Sequence, residues 1–151
     1  MSTTPIPIPI LVSGAHEKTG SGVAASLKPE YEVIHFTLMT AATTEIPLLL
    51  KGEVPSPSSS SLGSGNWSTF PKAVVFGGAY DDAQIEAVRK AVAEAPGTKR
   101  IPWLRVDMRV PHPPVDTPEY AVAVVGRMKA LLGKLEGEGK FDAEDDTVYF
   151  F

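Results

Sequence analysis

Five short apolar runs punctuate this chain, and the stretches between them carry apolar residues at helical spacing. The first run, Ile10 through Leu11 and Val12 to Ser13, starts near Ile10 because Pro7 and Pro9 have no amide to give a ladder. The residues before it, Pro5 included, are expected to be extended and peripheral. A second run, Tyr31–Thr37, is rich in β-branched and aromatic residues and predicts a strand with Val33 and His35 on one face. Ala73–Phe76 reads as a buried third strand, the segment from Ile101 to Met108 as a fourth, and DDTVYFF at 145–151 as a short fifth. In the fourth, Trp103 and Arg105 should face away from Leu104 and Val106.

Between these runs lie the helices. Small apolar residues over Gly22–Leu27 predict a short helix that Lys28-Pro29 stops. Ile85, Val88 and Val92, following Asp81 or Asp82 as N-cap, predict a second that ends at Pro96-Gly97. Glu119 to Leu135 reads as a long amphipathic helix with Val122, Val125, Met128, Leu132 and Leu135 toward the core, entered through Thr117 as N-cap and Pro118 as first residue. Its other side, with Arg127, Lys129, Lys134 and Glu136, reads as solvated. The stretch TAATTEIPLLLKG at 40–52 fits either extended structure or a helical turn opening after Pro47. Residues 53–71, dominated by Ser, Gly and Pro, predict a mobile loop, with Trp67 and Phe70 pinning its end to the core.

Alternating strands and helices build a mainly parallel sheet covered on both faces. The expected fold is one α/β domain over residues 1–151, a three-layer Rossmann-like or flavodoxin-like sandwich with five strands in the order 2-1-3-4-5. In that order the crossover reverses between strands one and three, which places a crevice beside Gly14 and Gly77.

Composition narrows the classes. Of 151 residues 43% are apolar and 21% charged, enough to build a core and too apolar for a disordered chain. The net charge is -4, and no stripe of Lys and Arg could neutralise a phosphate backbone, so nucleic acid is not an expected partner. Cysteine is absent, which excludes disulfides, thiolate metal sites and cysteine nucleophiles. With prolines breaking the N-terminal apolar run neither a signal peptide nor a membrane span is expected there, and the chain reads as cytosolic.

The stretch LVSGAHEKTGSG at 11–22 carries the strongest functional signal: Ser13-Gly14, five residues, then Gly20-Ser21-Gly22. Set after the first strand, it resembles the glycine turn of NAD(P)-binding Rossmann proteins, in particular short-chain dehydrogenases, with a spacing two residues longer than theirs. The resemblance covers residues 9–37 and, loosely, the Phe-Gly-Gly at 76–78. It implies that Ser13, Gly14, Gly20, Gly22, Gly77 and Gly78 line a site for NAD(P) or a similar phosphate ligand; the alternative is a glycine turn kept for helix–sheet packing. The family's Tyr-x-x-x-Lys pair is missing, since Tyr120 is followed four residues later by Val124 and Tyr80 by Gln84. No acidic residue closes the second strand, where His35-Phe36-Thr37 stands.

Ligands of parallel sheets bind outside the carboxyl ends of the strands. His16, Tyr80, Asp107 and His112 follow strands one, three and four, and their convergence would supply a general base, an orienting carboxylate and a phenol donor. No histidine pair has the i, i+4 spacing of a helical metal site, and no G-x-S-x-G elbow exists, so neither a metal nor a serine nucleophile is expected. The expected activity is small-molecule or dinucleotide binding with acid-base or oxidoreductase-like chemistry. The alternative is a non-catalytic dimerisation or regulatory module, with the terminal TVYFF strand pairing two copies.

Overall fold

A computed structural model describes residues 6–115 and 117–151. Five strands, β1 (Ile8–Gly14), β2 (Tyr31–Leu38), β3 (Val74–Phe76), β4 (Trp103–Arg105) and β5 (Val148–Phe150), form one sheet in the order β2-β1-β3-β4-β5. Every pairing is parallel. Helices α1 (Glu17–Leu27) and α4 (Pro118–Gly137) bring Val23, Leu27, Val124, Met128 and Leu132 onto one face, against Ile10, Val12, Val75 and Leu104. Helices α2 (Ala42–Leu49) and α3 (Asp82–Glu94) bring Ile46, Leu49, Ile85 and Val88 onto the other, against Leu11, Val74, Phe76 and Trp103. The fold is the expected three-layer sandwich, and Trp103 lies opposite Leu104 and Val106 as the alternation predicts.

Strand β1 begins at Ile8, two residues before the expected start, because Ile8 N reaches Glu30 O and Pro9 needs to offer only its carbonyl, which Lys72 N takes. The expectation for residues 1–5 lies outside the described residues. Val33 and His35 do not share a face. The register slips between Ile10, opposite Val33, and Leu11, opposite His35, so Ile34 is the extra residue of a β-bulge. Val33 packs with the α1–α4 core while His35 turns to Glu45 of α2, 3.6 Å from its carboxylate.

The first helix starts at Glu17, five residues ahead of Gly22. The turn after β1 is therefore only Ala15 and His16, and Gly20 and Gly22 lie within the helix rather than in the turn. Gly20 is there for packing: a Cβ on it would stand 2.4 Å from the Phe36 ring, so only glycine lets α1 settle onto β2. The ambiguous stretch after β2 forms a 3-10 turn, Met39–Ala41, and then α2, with Pro47 accommodated inside it. In α3, Asp81 is the N-cap, with a capping box to Gln84. In α4, Val122 is 69% exposed, and Tyr120 and Val124 take the core side with Val125, Met128, Leu132 and Leu135. Thr117 stands at the N-cap position, but its hydroxyl donates to Pro114 O and caps nothing. Arg127 is half-buried rather than solvated, donating to the carbonyls of Asp107 and Phe151.

Residues 53–71 hold no helix or strand, yet they are fastened along the free edge of β2. Phe36 N donates to Leu62 O, and Ser64 N and Gly65 N donate to the carbonyls of Val33 and Ile34. The buried Glu45 carboxylate accepts from Ser59 N at 2.6 Å and from Ser59 Oγ at 2.9 Å, while Ser59 Oγ accepts from Leu38 N. A segment read from composition as mobile acts as a strap that closes one side of the sheet.

Candidate functional site

The carboxyl ends of β1, β3 and β4 meet at one rim. Gly77 N donates to Ser13 O at 2.9 Å, and a Cβ on Gly77 would lie 3.7 Å from the Gly14 Cα, so the two glycines are neighbours across the β1/β3 boundary. One residue on, a Cβ at Gly78 would stand 2.6 Å from the Tyr120 hydroxyl and 2.8 Å from Met108 Sδ. Glycine here makes room for the first turn of α4 to lay its tyrosine over the end of β3.

Among the described residues Tyr120 OH finds only Met108 Sδ, 3.8 Å away, and a thioether is a weak acceptor. Burial pushes this phenol above its ordinary value while the Arg127 charge pulls the other way, so it remains a protonated donor. The His112 ring stands edge-on to Tyr120 with centroids 5.4 Å apart. Its Nδ1 is 2.8 Å from Pro113 O, and a carbonyl can only accept, so Nδ1 is the donor of that pair.

The four residues expected to converge fare differently. His16 is exposed at the N-cap position of α1 and its side chain caps nothing. Tyr80 turns inward, its hydroxyl 2.6 Å from Ser13 Oγ. Because Ser13 spends its proton on Thr37 O, Tyr80 is the donor of that pair, and burial pushes its phenol up to about 12, against the pull of Ser13. This buried chain ties the turn after β3 to β1 and β2. Asp107 is clasped by Arg109 through Nε at 2.9 Å, a second guanidinium nitrogen at 3.0 Å and the backbone amide at 3.0 Å. Those bonds hold its carboxyl below the usual range, which makes it an occupied anion rather than a base. Among the described residues no hydrogen bond or ion pair joins any two of His16, Tyr80, Asp107 and His112.

Tyr120 and Met108 are the rim residues that sequence reasoning missed. Tyr120 enters it only as half of an absent Tyr-x-x-x-Lys pair, and the signal that could have found it is its place two residues after Pro118, where a helix following β4 must begin.

The chain is 36% identical over 148 residues to Kojic acid related protein 6 of Aspergillus oryzae (strain ATCC 42149 / RIB 40), a match that covers 97% of this chain and 87% of that protein. The chain belongs to the family of Kojic acid related protein 6. Because the match takes in nearly all of the chain, the rim and the strap both lie within what the two proteins share in length. No family model and no solved structure matches the chain.

The residues present do not fit the dinucleotide that a Rossmann turn implies. Where the pyrophosphate would meet α1, Glu17 places a carboxylate in the first turn. Where the adenosine ribose would meet the end of β2, Leu38 N is already bonded to Ser59 Oγ of the strap, and no acidic residue closes the strand. Among the described residues no group of three or more His, Asp or Glu is placed to hold a metal ion, and no helix is long and apolar enough to cross a membrane.

Proposed function

We propose that this protein binds a small oxygen-bearing molecule at the rim formed by Gly14, Gly78, Met108, His112 and Tyr120. The observation that carries the reading is the Tyr120 phenol, a protonated donor set over the glycine end of β3 with, among the described residues, only a thioether to accept from it. A ligand carbonyl or hydroxyl is a far better acceptor than sulfur, and exchanging one for the other gains a full hydrogen bond. His112 Nε2 supplies a second polar contact for a ligand hydroxyl. A phenol donor and an imidazole over one site are the parts that proton transfer to and from a small carbonyl compound requires. The name of the Aspergillus oryzae relative mentions kojic acid, which makes that compound the first to test.

The test is thermal shift across kojic acid, aromatic metabolites, nucleotides, NADH, NADPH and FAD, since a ligand of the folded state raises the melting point. A hit should bind about five- to tenfold more weakly to Tyr120→Phe, whose own melting point stays within a few degrees of the parent. A silent panel, or a hit indifferent to both Tyr120→Phe and His112→Ala, refutes the rim site.

A further inference from the structure

The two edges of the sheet are treated differently. The strap closes the β2 edge with three backbone bonds, whereas among the described residues nothing pairs with β5 on its outer side. The residues that flank β5 bond to β4 and its continuation: Thr147 O accepts from Trp103 N, Phe151 N donates to Arg105 O, and Phe151 O accepts from Asp107 N. The alternation along a parallel ladder leaves the amides and carbonyls of Val148 and Phe150 on the outer edge, and among the described residues none bonds to them. The Phe150 side chain is 51% exposed beside them.

Along this edge runs a groove between α3 and the β4–β5 end of the sheet. A hollow of about 730 Å³, floored by Trp103, continues through Ala83, Glu86 and Arg89 into a second of about 440 Å³ that reaches Arg105, Val148 and Phe150. Parallel to a 13-residue helix, the groove is roughly 20 Å long, suited to an extended segment rather than a compact molecule. Its charge runs against that of the whole protein. In a chain of net charge -4, the two hollows are lined by Arg89, Lys90, Lys99, Arg100 and Arg105 against Asp82, Glu86 and Asp146. Arg105 is paired with Asp82 at 2.7 Å, Arg100 with Asp146 at 3.3 Å and Lys90 with Glu94 at 4.0 Å, while among the described residues no carboxylate pairs with Arg89 or Lys99. Three of the cations are held in place over aromatic rings, Arg89 4.8 Å from the Trp103 centroid, Lys99 4.7 Å from that of Phe70 and Arg105 5.2 Å from that of Phe150.

We propose that the β5 edge and this groove dock an extended acidic segment of a partner protein. The segment pairs its backbone with Val148 and Phe150 as a sixth strand and sets its carboxylates against the groove's cations. A second copy of this chain is the poorer occupant, because a two-fold pairing of β5 edges would bring each copy's Arg105 and Arg89 toward their own counterparts. This surface lies on the α3 side of the sheet and does not depend on the rim reading.

The probe is a fluorescein-labelled ten-residue peptide of alternating Glu and Val, with its Lys-Val counterpart as control, followed by anisotropy against the intact protein. The acidic peptide should bind saturably and the basic one should not. Raising salt from 50 to 300 mM should weaken it severalfold. Lys90→Glu combined with Arg100→Glu, both exposed and outside the core, should weaken it about tenfold or more. The amides of Val148 and Phe150 should gain protection from hydrogen exchange when the peptide is bound. No saturable binding at millimolar peptide, equal binding of the basic peptide, or protection elsewhere than β5 overturns the proposal. So does a salt-sensitive dimer in sedimentation that protects the same amides, which would give the edge to a second copy.

Discussion

Two glycines in one helix should respond to the same substitution with opposite signs. In α1, Gly20 and Gly22 stand two positions apart and thus point to different sides. A methyl at Gly20 meets Phe36 at 2.4 Å from Cε2 and 2.8 Å from Cδ2 and Cζ, while a methyl at Gly22 meets nothing within 4 Å. Alanine in place of a mid-helix glycine is favourable by about 1 kcal/mol. At Gly22 that gain stands alone, so Gly22→Ala should stabilise by roughly 0.5–1 kcal/mol, a rise of about 2–3 °C in Tm for a domain of this size. At Gly20 the methyl must displace a ring that is 1% exposed and held between α1 and the sheet, and overpacking of this kind costs about 1–3 kcal/mol. The clash is among the tightest that a single methyl can make, so the upper end of that range applies and Gly20→Ala should destabilise by about 1–2 kcal/mol net. Urea denaturation of the parent and both variants reads the two signs directly. A Phe36→Leu background should shrink the Gly20→Ala penalty, because the pair shares one volume. If both alanines stabilise, or if the Phe36 background leaves the penalty unchanged, the packing account of Gly20 is wrong.

Other substitutions test other contacts. Burial holds the His35 imidazole below its ordinary value, with Glu45 pulling the other way, so the folded chain binds this proton less readily than the unfolded chain. Stability from the neutral ring is complete above about pH 6.5 and is lost as pH falls from there through the lowered value; His35→Gln should flatten that part of a stability–pH curve and leave the more acidic limb in place. Ser59→Ala removes a donor from the buried Glu45 carboxylate and an acceptor from Leu38 N, and should cost about 1–3 kcal/mol in chemical denaturation while speeding proteolysis within 53–71. Val122→Ser should change stability by less than about 0.5 kcal/mol, whereas Val125→Ala, on the buried side of the same helix, should cost about 2 kcal/mol.

The strand order was legible because strands joined through helices admit few parallel arrangements, and the capped start of α3 was legible to within one residue because Asp81 and Asp82 announce it locally; the capping box to Gln84 then decides for Asp81. What escaped was set at long range. Nothing near Gly20 reveals Phe36 beneath it, so a glycine kept for close packing read as part of a turn. The strap's serines look like linker until Glu45 and the β2 edge are beside them. Helix α4 carries apolar residues on most of its circumference, so its pattern could not fix which side faces the sheet, and Val122 was placed inward. Of the candidate site, the glycine rim was legible from the strand order. The inward turn of Tyr80, the clasp on Asp107 and the arrival of Tyr120 depend on contacts that no local spacing encodes.

The extra residue at Ile34 lets one strand be written in two phases. Before it, Tyr31 and Val33 point at the α1–α4 layer; after it, Phe36 and Leu38 do, although an uninterrupted alternation would send His35 and Thr37 there instead. Deleting this single isoleucine would remove the bulge and leave a regular strand in which Val33 and Phe36 still face that layer and His35 still faces away from it. It would empty the place that Ile34 fills in the α2–α3 layer while the ring on which Gly20 rests kept its side of the sheet, so the cost of the loss should fall on packing rather than on register.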